Sequence, residues 1–84
     1  MSKRKKIKVI ERKLGRERAW GLSYKGDNLI EIDSRLKGKK KLLIIVHELL
    51  HQALMDENNE KEIHRVAIII SNGLWGQNYR RVDQ

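Results

Sequence analysis

His47, Glu48 and His51 stand in the order H-E-x-x-H, with Leu49 and Leu50 between the outer pair. Residues four apart on an α-helix lie one above the other on a single face, so two imidazoles at this spacing can turn nitrogens toward one metal ion. Glu48 falls beside that pair. A carboxylate there can accept the proton of a water held by the metal. The chemistry this trio could do is hydrolysis, with one Zn2+ ion as the expected cofactor and Glu48 as general base. A catalytic zinc needs three protein ligands and an open position, so one ligand must come from elsewhere in the chain.

That search is short. The chain has no cysteine, which leaves His, Asp and Glu as donors, and the only other histidine is His64. The elements that would carry these residues follow from the hydrophobic pattern. Leu42 to Val46, continued by Leu49, Leu50, Ala53, Leu54 and Met55, predicts a central buried helix over 39–55, capped by Ser34 or Gly38. Its first turn carries Lys39, Lys40 and Lys41, which opposes the helix dipole, so burial must hold it. Asp56 to Asn59 form a turn. Asn59 is then the expected N-cap of a second helix, with Glu62 closing a capping box and Ile63, Val66, Ala67, Ile70 and Leu74 at helical spacing.

An antiparallel return at residues 56–59 brings the first turn of the second helix level with His51. Glu60 lies there, on the same face as His64 and Ala67, and is the expected third ligand. Its competitors are His64, Glu62, Asp56 and Glu57. Glu62 has a capping role, and His64 could be a ligand, a partner that orients a ligand histidine, or a contact to substrate. Upstream, Ala19–Tyr24 and Leu29–Asp33 alternate as short strands, close enough to pair as an antiparallel hairpin, and Ile7–Lys13 fits a third in which Ile10 breaks the alternation and suggests burial on both sides. The expected fold is α+β: a small antiparallel sheet of about three strands followed by two helices.

With 84 residues the chain allows one domain, expected over 7–76, with a basic disordered tail at 1–6 and a polar, basic tail at 77–84. A net charge of +8 favours electrostatic contact with nucleic acid, although none of Trp20, Tyr24, Trp75 and Tyr79 is interleaved with the basic runs. No leader or membrane-span pattern is present, which makes a cytoplasmic protein without a membrane partner the expectation.

The residues His47–His51, followed by Glu60-Lys61-Glu62-Ile63-His64-Arg65-Val66-Ala67, resemble the gluzincins, H-E-x-x-H metallopeptidases whose third ligand is a glutamate on the next helix. The second stretch is similar to the E-x-E-A-N-x-F-A segment of ImmA/IrrE-type metallopeptidases, with Ile63 and His64 in place of Ala-Asn, and the whole resembles very short phage-encoded relatives. The resemblance spans about residues 19–75. It implies a minimal zincin-like fold, His47, His51 and Glu60 as zinc ligands, Glu48 as general base, a peptide or protein substrate, and an intracellular setting such as a phage-infected host. A SprT-like, DNA-associated protease with His64 as third ligand is the nearest alternative, with Arg65 where that family has Gly. The other is a non-catalytic, zinc-stabilised binding module. Tyr24, Tyr79 or His64 could donate to an oxyanion, and the strand at 19–24 or 29–33 could hold an extended peptide along a sheet edge.

Overall fold

The computed structural model describes residues 6–16, 19–24, 26–54, 56 and 58–81. Three strands precede two helices: β1 (Lys8–Arg12), β2 (Gly21–Tyr24), β3 (Leu29–Asp33), α1 (Gly38–Ala53) and α2 (Glu60–Gly76). The α+β class and element order are as the sequence predicts. The sheet is mixed, however, not antiparallel throughout. β2 and β3 form the expected antiparallel hairpin, with Ser23 opposite Ile30, while β1 lies parallel to β3, with Val9 opposite Ile30, giving the order β1-β3-β2. Residues 1–5, 17, 18, 25, 55, 57 and 82–84, including most of the expected N-terminal tail and the expected helix end at Met55, lie outside the described residues.

The centre of the sheet is the apolar core. Ile30 and Ile32 have no accessible surface and pack with Leu36 against Ile7 and against Ile44, Ile45 and Leu49 of α1. Each of these two side chains contributes about 1.5–3 kcal/mol by leaving water. The opposite face of β3 is also covered, and its residues are charged. Glu31 accepts hydrogen bonds from Arg12 Nε (2.6 Å) and Tyr24 Oη (2.6 Å). Asp33, fully buried, accepts from the backbone N–H groups of Leu14 and Arg35 and from the Arg35 side chain. The Arg35 guanidinium and N–H hold the Asp33 carboxyl well below the usual carboxylate range against the opposing effect of burial. This clasp fixes Leu14, itself inaccessible, beneath a connector whose sequence is otherwise charged.

α1 lies between the sheet and α2, and among the described elements α2 packs on α1 alone. Lys37, not Ser34 or Gly38, is the N-cap of α1, without a side-chain cap, and Gly38 enters the helix at a φ of +64°, a conformation that favours glycine. Asn59 caps α2 as expected, accepting from the Glu62 N–H at 3.2 Å, and Glu60 and Glu62 complement the helix dipole. The buried stripe of α2 is Ile63, Ala67 and Ser71; Ile70 and Leu74 are more exposed than their spacing predicts, because among the described elements α2 packs on α1 alone. After α2 the chain turns back at Asn78, where φ is +67°, and Tyr79, Arg80 and Arg81 line a groove with the start of α1.

Candidate metal centre

α1 presents His47 and His51 on the side that faces α2, with ring centroids 4.9 Å apart. The return through residues 56–59 places Glu60 opposite them. Its Oε1 lies 2.6 Å from His47 Nε2 and its Oε2 3.1 Å from His51 Nε2. One ligand atom from each of the three residues can be chosen so that all lie within 4.8 Å of one another, which makes them the metal-capable cluster found among the described residues. Two ligands of a tetrahedral zinc, with bonds of about 2.0–2.1 Å, are about 3.4 Å apart, so small side-chain movements convert this mutual hydrogen bonding into coordination. Two imidazoles and a carboxylate are a donor set that zinc accepts. The two histidine side chains are mostly covered and the Glu60 side chain is 65% exposed, so one side of the cluster is open to solvent.

The electrostatics fit those positions. Burial opposes ionisation of Glu60, but the hydrogen bond from His47 and the charge of His51 outweigh it and hold the carboxyl below its ordinary value. Glu48 behaves in the opposite way. Burial pushes its carboxyl up, with His47 and His51 pulling down and Glu60 adding to the rise. Glu48 is therefore a better proton acceptor than a solvated glutamate, and it stands next to the cluster without belonging to it.

His64, one turn beyond Glu60, places Nδ1 3.4 Å from Nδ1 of His47, while His47 turns Nε2 toward Glu60. A ligand histidine binding metal through Nε2 needs an acceptor for its other N–H, and His64 is the side chain that stands against that nitrogen. Of the remaining sequence candidates, none described stands in the cluster. Glu62 pairs with Arg65, Asp56 is exposed, and Glu57 lies outside the described residues. Tyr24 donates to Glu31 across the sheet and Tyr79 lines a groove at the start of α1, so of the three oxyanion-donor candidates only His64 stands at the cluster.

Two supporting residues were not singled out from the sequence. Gln52, next to His51 and almost fully buried, extends Nε2 to Ser23 Oγ (2.7 Å), Tyr24 O (3.0 Å) and Leu29 O (3.1 Å), fixing the rotation of α1 against the hairpin. Its signal was a lone polar side chain on the sheet-facing side of an apolar helix. Gly21 is the second. A Cβ at that position would stand 2.8 Å from Ile44 Cγ2 and 2.9 Å from Glu48 Cγ. β2 thus runs directly against the general-base candidate, and being an edge strand it has a free edge there; β3, the other strand considered for peptide binding, is central and has none. Gly21→Ala is expected to push Ile44 and Glu48 aside, with about 1–3 kcal/mol lost in stability by overpacking, read as a fall in Tm. A Tm equal to that of the unmodified chain would show that β2 and α1 are not in close contact at Gly21.

Comparison of the chain with protein-family models, with curated proteins and with solved structures found no match.

Proposed function

We propose that this chain is a zinc-dependent peptidase in which His47, His51 and Glu60 hold the metal and Glu48 is the general base. The observation that carries this reading is the approach of Glu60 to both histidines from a separate helix, which completes the donor set that H-E-x-x-H alone leaves short. Zinc held there would supply a Lewis acid and a water of lowered pKa. Glu48 would take a proton from that water and return it to the leaving amine, its basicity raised by burial. His64 would hold His47 in the tautomer that leaves Nε2 free for the metal. The outer edge of β2, the strand whose Gly21 faces Glu48, would carry the substrate backbone as an added strand.

The zinc-stabilised module is favoured by one separate observation. α2 packs on α1 alone, and the ligand set bridges precisely those two helices, so bound metal would cross-link the outer layer to the rest of the molecule. Chelation tests the metal, and hydrolysis separates the readings. At free zinc about 1,000-fold above Kd, binding adds about 4 kcal/mol to stability, which for a domain of this size corresponds to a fall in Tm of more than about 10 °C on stripping the metal. Both readings share that result. Hydrolysis of an unfolded protein substrate, lost with chelator and restored by one equivalent of zinc, is the result expected of the peptidase; a zinc-loaded, folded chain that cleaves no unfolded substrate leaves the module.

A further inference from the structure

The aromatic residues that are separated from the basic runs in sequence are not separated in space. Trp20, 46% exposed, has Lys40 Nζ 3.9 Å from its ring centroid and Arg35 Cζ at 5.7 Å. Trp75 has the Arg80 guanidinium stacked at 3.5 Å. Both rings meet the first turn of α1. Lys40 covers Trp20, and a Cβ on Gly38 would lie 3.8 Å from Trp75 Cη2. Glu11 of β1 draws in Lys41, at 2.7 Å, and Arg81, closing the C-terminal segment onto the same end of the helix.

Beside Trp75 and Arg80 lies a groove of about 350 Å³, lined by Leu36, Lys37, Leu42 and Ile45 as well; Trp20 and Lys40 stand outside it, at the same end of α1. Lys37, Lys39, Lys40 and Arg80 pair with no carboxylate among the described residues. The first turn of α1 carries no acidic residue, so its dipole adds to the positive potential. His47 lies about 14 Å further along the helix, at a rise of 1.5 Å per residue.

We infer that the α1 N-terminal end, with Trp20, Trp75, Lys40 and Arg80, is a binding surface for single-stranded nucleic acid. Cations held over aromatic rings present phosphate-binding charge and flat apolar surface at one place, which is the combination that unpaired nucleotides use. The groove is large enough for a base. Duplex would leave the rings unused, since paired bases offer no face to stack on, and an acidic peptide would use the cations but not the rings. The surface is distinct from the metal cluster and does not depend on the peptidase reading.

The test is fluorescence anisotropy of a labelled 12-nucleotide thymidine strand with the full chain, over a range of salt. Neutralising about four phosphates predicts a log–log salt slope near −3. Trp20→Ala is expected to weaken binding about 10-fold at unchanged net charge, and Lys40→Glu and Arg80→Glu by at least about 10-fold each. Lys8→Glu, the same charge change at the far end of β1, should cost under about 3-fold, and zinc stoichiometry should be unaltered in all four variants. The proposal is overturned by no binding at 20 mM salt, by duplex binding as tight as single strand, by equal losses in Lys8→Glu and Lys40→Glu, or by a polyglutamate peptide that binds as tightly with no loss in Trp20→Ala. The last result would assign the surface to acidic protein partners.

Discussion

Glu48→Gln is expected to reduce kcat for peptide hydrolysis by at least about a thousandfold while the chain still binds one zinc ion. General-base catalysis by a positioned carboxylate contributes about 10²- to 10⁴-fold, and the amide keeps the shape of the side chain while removing its capacity to take a proton. Zinc retention is the informative half of the result. Glu48 lies outside the three-residue cluster and is held in place by Gly21 and by its own burial, so the substitution should leave the ligands undisturbed. Relief of the unfavourable burial of a charged carboxylate would leave folding stability unchanged or slightly raised. A variant that retains kcat within about 10-fold removes Glu48 from the mechanism, and one that loses zinc makes it a ligand.

Glu60→Ala against His64→Ala is the second large contrast. Removing one of three protein ligands should weaken zinc binding by about a thousandfold or more, roughly 4 kcal/mol. Removing a residue that only orients a ligand should cost about 10- to 100-fold. The order follows from the two contacts of His47: Glu60 meets the Nε2 side that His51 shares, and His64 meets the opposite nitrogen. Zinc titration of both variants by competition with a chromophoric chelator checks this. Weaker binding in His64→Ala than in Glu60→Ala would move the third ligand to His64 and favour the SprT-like alternative.

Much of the site was legible because its determinants are local. The i, i+4 spacing of His47 and His51 needs only a helix, and the reach of Glu60 needs only a short reversal followed by a capped helix; Asn59 and Glu62 signal that cap directly. What was not legible depends on contacts between distant segments. The parallel pairing of β1 with β3 is set by a crossover through β2 that begins at Leu14, a buried side chain in a run of charges, and by Asp33, which accepts from the Leu14 N–H. Alternation suggested a polar outer face for Glu31 and Asp33, yet both are covered, because Arg12, Tyr24 and Arg35 meet their charges and hydrogen-bonding capacity. Gln52 and Gly21 act across the helix–sheet contact, so neither has a sequence neighbour that reveals its partner. The pairing of Trp20 with Lys40 and of Trp75 with Arg80 has two origins. The first joins segments twenty residues apart, and the second requires the turn after α2 to fold back.

The central claim is that His47, His51 and Glu60 hold one metal ion beside an uncoordinated Glu48. Anomalous diffraction at the zinc edge from crystals of the full chain grown with one equivalent of zinc tests it most directly. The expected result is a single strong peak about 2.0–2.2 Å from one ring nitrogen of each of His47 and His51 and from the Glu60 carboxylate, with no Glu48 oxygen among the ligands and one position left for solvent. A peak ligated by His64 or Glu48 in place of Glu60, or no peak between α1 and α2, would contradict it.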